Sequence, residues 1–271
     1  MKIAFQGETG AYSEEAIIAN YGIEVIPVPC PYLRDVFDTV EAGEADSGLI
    51  PVENTIEGSI VRTYDLLNER KLKAGGEAIH RIVHCLIANP GVTLGDVKKV
   101  YSHPQALGQC RKFLEANSME ATPSYDTAGS VKILKSLNVM DSAAIASSRA
   151  ADVYGMQVLR RGIETHTENY TRFLLVKPED HEPTGDDKTS IAFIVDHKPG
   201  SLYQALHSFA DSSINLTKIE SRPQLGAPWE YVFFIDIQGH RKDEAISSAL
   251  SKLENYARSV KILGSYPQAK R

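Results

Sequence analysis

The chain has 271 residues, enough for two domains. Hydrophobic residues make up 42% and charged residues 24%, a globular balance that excludes disorder, collagen-like repeats and a disulfide scaffold. The formal net charge of -6 argues against nucleic-acid binding, which calls for a basic surplus against phosphates. No apolar run approaches the ~18 residues of a membrane span. The N-terminal MKIAFQGETG lacks the apolar core and cleavage site of a secretory leader, so a cytoplasmic location is expected. Cys30, Cys85 and Cys110 are too widely spaced for a C-x-x-C zinc pair and fit free thiols in a reducing compartment.

In chain order, Lys2–Gln6 reads as a buried strand, and Ser13 followed by Glu14 and Glu15 as a helix N-cap with an acidic first turn. Strands at 24–29 and 46–52 alternate with helices at 32–42 and 59–68. Residues 78–88 read as one long strand. A strand at 97–102, helices at 104–116 and 126–137, a strand at 143–146 and a helix at 147–154 follow, then strands at 158–163 and 171–177. This rhythm predicts an α/β fold with mostly parallel sheets. The expected form is two lobes with a cleft between them, lobe one about 1–76 and 158–178 and lobe two about 77–157. Residues 179–188, polar and acidic with Pro and Gly, read as a linker. From 189 to 271 the order β-α-β-β-α-β is that of a ferredoxin-like unit.

Polar residues collect where strands end, the usual place for a site in an α/β fold. Glu53, Asn54 and Thr55 follow one apolar strand. Ser102 ends another, with a helix opening at Pro104 and Gln109 one to two turns along it. Thr171 and Arg172 sit at the start of a third. Arg172 suits bidentate capture of a carboxylate. Neighbouring strand residues point to opposite faces, so either the strand begins after Arg172 or one of this pair is structural. His80 and His84 are four apart, a zinc spacing on a helix, but on a strand the rings stand about 13 Å apart, so no metal is expected. Nucleotide-binding glycine loops and the G-x-S-x-G elbow are absent.

The segments GETGAYSEEA, PVENTIEGS, SHPQALGQC, AAIASSRAADVYGMQVL and NYTRF, then PGSL and ESRP, occur in an order that resembles the prephenate dehydratase family with a C-terminal ACT regulatory domain. The resemblance spans nearly the whole chain. It implies decarboxylating dehydration of prephenate to phenylpyruvate, without metal or cofactor, over residues 1–178, and feedback inhibition by L-phenylalanine through an ACT domain at 189–271. It also implies a homodimer or homotetramer, and a monofunctional enzyme, since the larger region is too short for an added chorismate mutase domain. By the same resemblance Thr171 is catalytic, and Asn54, Thr55, Ser102, Gln109, Arg172 and Phe173 bind substrate. Pro199, Gly200, Ser201 and Leu202, with Glu220, Ser221, Arg222 and Pro223, bind the effector. Glu8, Ala11 and Thr55 depart from the usual Pro, Thr and Ser, and PGSLY departs from the usual regulatory run. Arogenate is an alternative substrate, its ammonium calling for an acceptor where prephenate has a keto group. A non-catalytic amino-acid-binding protein is an alternative of another class.

Overall fold

The computed structural model describes every residue except Leu225, Pro228 and Arg271; the last, which ends the expected C-terminal domain, lies outside the described residues. The elements run β1 (Lys2–Gln6), α1 (Tyr12–Tyr21), β2 (Ile26–Cys30), α2 (Leu33–Glu41), β3 (Ser47–Asn54), β4 (Gly58–Ser59), α3 (Val61–Glu69), β5 (Lys73–Arg81) and β6 (Cys85–Ala88). After a single 3₁₀ turn come β7 (Lys99–Ser102), α4 (Pro104–Gln109), α5 (Arg111–Ala116), β8 (Glu120–Pro123), α6 (Thr127–Leu137), β9 (Ser142–Ala146), α7 (Ser148–Tyr154), β10 (Gln157–Arg161) and β11 (Tyr170–Lys177). The chain ends with β12 (Asp187–Val195), α8 (Ser201–Ala210), β13 (Leu216–Pro223), β14 (Tyr231–Gln238), α9 (Glu244–Glu254) and β15 (Ala257–Pro267). The fold class is the expected one: α/β up to Lys177, then a βαββαβ unit.

One compact unit comprises Met1–Val36, Asn54–Gly58 and His80–Thr171. Its five-stranded sheet has the order β10-β6-β9-β7-β8. β7 pairs in parallel with β8 and β9, and β6 runs antiparallel to β9 and β10. Strands such as CLIA and SAAIA are buried on both faces, so the run is continuously apolar. Period-2 alternation sends Leu86, Val100 and Ile145 to one face, packed on Leu107 and Leu114 of α4 and α5. Ile87, Ala144 and Ala146 go to the other, packed on Val131, Leu134 and Ala150 of α6 and α7. β1 and β2 pair in parallel in the same unit. Gly10 accounts for a close approach here: its φ is +91°, and a Cβ would stand 2.8 Å from the Ala150 backbone. The Gly10 carbonyl accepts from Ser147 Oγ at 2.6 Å.

Three local expectations are corrected. Ser13 lies inside α1, whose N-cap is Ala11 with no side-chain cap; Glu14 accepts the N–H of Gly10, the residue before the N-cap, at 2.7 Å. The single strand expected at 78–88 is two. Ile82 N–H donates to the Asn169 carbonyl and His84 N–H to Glu164, so this backbone leaves the ladder. The single helix expected at 104–116 is interrupted at Cys110, beside the Gln109 carbonyl that accepts the Thr165 N–H at 2.8 Å. β8 was not expected at all.

The other compact unit comprises Phe37–Glu53, Ser59–Ile79 and Arg172–Arg271. β3, β11 and β5 lie side by side in that order. The C-terminal sheet is antiparallel with the order β13-β14-β12-β15, the ferredoxin-like arrangement. α8 and α9 cover one face through Phe209, Ala249 and Leu253 on Ile191, Phe193 and Ile235. β15 runs hard against β5. Lys73 Nζ donates to the Ile262 carbonyl at 2.8 Å, and a Cβ at Gly264 would overlap the Ala74 backbone.

Candidate active site

The first unit gathers a continuous hydrogen-bonded network from five sequence-distant segments. β3 runs to Asn54, two residues beyond the expected end, and places its amide among residues 168–171. Asn54 Oδ1 accepts the N–H groups of Ile56 and Glu57 at 2.9 and 3.0 Å. Its Nδ2 therefore faces the other way, toward Asn169 Oδ1 at 2.8 Å and Thr171 Oγ1 at 3.0 Å. Thr55 fixes the same crossing: its hydroxyl donates to the Glu168 carbonyl at 2.8 Å and accepts the Tyr170 N–H at 2.9 Å. Thr171 is 8% exposed. Its oxygen accepts from Asn54, and among the described residues its own proton has no acceptor.

Gln109 joins the network from α4. Its Oε1 accepts from Asn169 Nδ2 at 2.9 Å and lies 2.7 Å from His84 Nε2, while its Nε2 donates to Glu57 at 2.9 Å. Behind His84 stands Tyr12, its hydroxyl 2.6 Å from Nδ1. Burial depresses the His84 pKa below its ordinary 6.5, and burial raises that of Tyr12 well above 10. Both are neutral near pH 7. Gln109 and Glu57 line a pocket of about 680 Å³ whose wall also carries Lys112 and His166. A second pocket, of about 480 Å³, opens beside Gly7 and Glu8 of the first motif, with Tyr125 and Asp126. There Glu8 is paired with Lys132 at 3.0 Å, a bond that holds its carboxyl below the usual range.

Not every expected site residue joins this network. Ser102 is fully buried, its hydroxyl donating to the Ile145 carbonyl at 2.6 Å, which ties β7 to β9. Phe173 is a core residue at 2% exposure. Arg172, expected as a carboxylate clamp, is hydrogen-bonded to other side chains of its own unit. β11 starts at Tyr170, so Thr171 and Arg172 alternate in a regular strand. The Arg172 guanidinium donates through Nε to Glu77, through Nη1 to Asp236 at 2.6 Å and through Nη2 to Tyr266 at 3.1 Å, with Glu53 3.7 Å from Nη1. Tyr12, Glu57, His84, Glu164 and Asn169 were not expected as site residues. Tyr12, Glu57 and Asn169 stand inside quoted motifs, a signal that was available. His84 gave none, because the strand break that turns it inward is set by loop 161–169.

In the C-terminal unit, Gly200 (φ +85°) is the N-cap of α8, and Ser201 and Leu202 line a pocket of about 120 Å³ with Lys198 and Glu230. Pro199 sits in the turn just before. Glu220, Ser221, Arg222 and Pro223 lie on β13, at the end of the sheet order, and β14 separates them from β12. Arg222 pairs with Asp65 at 3.1 Å, and Glu220 stands 3.7 Å from Lys218. Among the described residues, the pocket lined by Ser201 and Leu202 is not lined by Glu220, Ser221, Arg222 or Pro223. No group of three His, Cys, Asp or Glu is placed to hold a metal among the described residues.

Doubly covered α/β sheets with polar residues at the strand ends, followed by a ferredoxin-like unit, define the class: an α/β protein with an appended βαββαβ module. A family model described as prephenate dehydratase matches residues 3–181. The bifunctional chorismate mutase/prephenate dehydratase of Aquifex aeolicus is 42% identical over 272 residues, covering 99% of this chain and 74% of that protein. A crystal structure of prephenate dehydratase in complex with L-Phe, from Arthrobacter aurescens, matches with TM-score 0.90 and 33% identity over 99% of this chain and 90% of that one. A structure named for GqqA, a novel type of quorum quenching acylase, matches with TM-score 0.92 and 32% identity over 98% of each chain. This chain belongs to the prephenate dehydratase family.

Proposed function

We propose that this protein converts prephenate to phenylpyruvate and that L-phenylalanine inhibits it through the βαββαβ unit, read as an ACT domain spanning 189–271. The observation that carries the reading is the Asn54–Thr171 hydrogen bond at the meeting of two family motifs. Prephenate loses its ring hydroxyl and ring carboxylate together. The ring C–COO⁻ bond breaks, its electron pair completes the aromatic ring, and the C–O bond breaks to release the hydroxyl, which must gain a proton to leave as water. Asn54 donates to Thr171 Oγ1, so the threonine proton is free to hydrogen-bond the departing oxygen. A threonine is too weak an acid to ionise, so it acts as an oriented hydrogen-bond donor to the departing oxygen, and the proton that completes water comes from solvent. Such assistance contributes about 10²–10⁴-fold in rate.

Gln109 and Asn54 orient the substrate, and Lys112 on the pocket wall supplies positive charge for its carboxylates. The proposed domains are 1–178, catalytic and in two lobes about a cleft, and the βαββαβ unit, with the expected linker 179–188 shortened because β12 begins at Asp187. The dehydratase reaction is the one this reading assigns to these residues; the mutase activity in the Aquifex protein's name is that protein's. A cytoplasmic homodimer or homotetramer, with no cofactor, completes it.

The test is phenylpyruvate formation from prephenate by the purified chain, with arogenate beside it and L-phenylalanine titrated into both. Prephenate turnover lost on adding L-phenylalanine supports both halves of the reading. Arogenate turnover alone moves the substrate, and no turnover of either removes the catalytic half.

A further inference from the structure

The hydrogen bonds around Gln109 leave one consistent set of proton positions. Backbone N–H groups can only donate, so the two that reach Asn54 Oδ1 fix the orientation of that amide. Asn54 Nδ2 then donates to Asn169 Oδ1, which turns Asn169 Nδ2 toward Gln109 Oε1. Gln109 Nε2 is left facing the Glu57 carboxylate. With Oε1 toward the histidine, His84 Nε2 must carry the proton. Nδ1 is then a bare acceptor, and the Tyr12 hydroxyl donates to it at 2.6 Å. The Tyr12 and His84 rings also pack edge-on with centroids 5.4 Å apart, which holds the imidazole plane. The His84 backbone is anchored as well, its N–H on Glu164 and its carbonyl on Gly162 and Ile163.

We propose that His84 is a positioning residue for Gln109: as the Nε2–H tautomer, backed by Tyr12, it pins the Gln109 amide so that one N–H goes to Glu57 and the other is kept for substrate. Oε1 takes two donors, from His84 and Asn169, and the amide cannot flip without setting donors against donors. Among the described residues the second Nε2 proton is uncommitted, on a side chain that lines the 680 Å³ pocket. No metal role remains for His84, since both ring nitrogens are spent. The assignment rests on reading Gln109 as a substrate contact.

The experiment combines a mutant cycle with nitrogen NMR on the full chain. In ¹⁵N-labelled protein at neutral pH, the His84 ring is expected to carry its proton on Nε2. His84→Leu is expected to lower kcat/KM about tenfold or more, as loss of orientation does, and His84→Gln, which restores a donor, to recover most of it. In a Gln109→Ala background, His84→Leu is expected to change kcat/KM by less than about twofold, because its effect passes through Gln109. Equal losses in the Leu and Gln variants, full additivity with Gln109→Ala, or a proton on Nδ1 would each overturn the proposal. Where His84→Leu fails to fold, Tyr12→Phe serves: Gln109 side-chain amide signals that do not move would overturn it too. Wild-type protein without prephenate turnover removes the dehydratase reading; the positioning then stands or falls on whether the Gln109 amide signals move in His84→Leu.

Discussion

Arg172 Nη1 stands 2.6 Å from Asp236 Oδ2, one residue after Thr171, whose hydroxyl accepts from Asn54. Asp236 also accepts from Ser190 Oγ at 2.5 Å, and Tyr266 OH bridges Ser190 at 2.7 Å and Arg172 at 3.1 Å. Glu77 accepts from Arg172 Nε, from the Lys188 ammonium at 2.9 Å and from the Ala269 N–H at 2.8 Å. Burial alone would raise the Glu77 pKa, but Arg172, the Ala269 N–H and Lys188 outweigh it and hold the carboxyl low. The cluster carries two cations and two buried anions, with the partly exposed Glu53 carboxylate 3.7 Å from Arg172 at its edge, and its Glu77 side chain is fully buried.

Removing one anion leaves a buried charge uncompensated, at a cost of about 3–5 kcal/mol. Asp236→Asn is therefore expected to lower Tm on the order of 10 °C. Replacing the pair together, Arg172→Met with Asp236→Leu, is expected to restore part of that loss. Calorimetry on the two variants decides it: a double variant less stable than Asp236→Asn would show the pair to be net stabilising.

Much of the fold was legible because its signals are local. Runs such as SAAIA are buried on both faces, and the βαββαβ order follows from two helical and four strand patterns with turn residues between them. The strand alternation rule left two outcomes for Thr171 and Arg172, a strand starting after both or a pair on opposite faces, and the start of β11 at Tyr170 gives the second. The partners of Arg172 were not legible, since Glu77 and Asp236 lie 95 and 64 residues away. Nor was the inward turn of His84, whose backbone is captured by Glu164, 80 residues on. Ser102 and Phe173 stand in the right motifs, yet motif membership does not separate a residue that touches ligand from one that holds the strand behind it.

Thr171 is expected to tolerate serine and not alanine. Thr171→Ser keeps the hydroxyl near Asn54 Nδ2 and should retain kcat within about tenfold. Thr171→Ala should lower kcat by about 10²–10⁴ with KM little changed, since the lost bond forms fully only as the hydroxyl departs. Steady-state kinetics on phenylpyruvate release measure both. A Thr171→Ala enzyme with unchanged kcat would move the hydrogen-bond donor elsewhere in the network.

Stability is expected to fall in two steps on acidification. The His84 pKa is depressed by burial below its unfolded value near 6.5, so the unfolded chain gains the proton first. That contribution is complete above about pH 6.5 and is lost as pH falls through the lower folded pKa. Glu77, held below its ordinary 4.5, follows with the same sign at lower pH. Asp126 acts oppositely, because burial raises its pKa above 3.8 and protonation relieves that cost. Thermal melts from roughly pH 8 to 4 should show Tm declining first below neutrality. His84→Gln should lack this first decline; its persistence would assign the step to another group.

The effector pocket is expected to be completed by a second copy of the chain. Ser201 and Leu202 border only about 120 Å³, well under the roughly 300 Å³ at which ligand pockets begin. Glu220, Ser221, Arg222 and Pro223 lie across β14 from β12, on a strand with a free edge in its sheet order. Pairing of two such units would bring one copy's α8 turn toward the other's β13 and enlarge the pocket. A ligand bound only by the paired form shifts association by mass action. Sedimentation at micromolar concentration should therefore show at least dimers, with the dimer fraction rising as L-phenylalanine is added. A chain that stays monomeric while still binding L-phenylalanine would place the whole effector site within one copy.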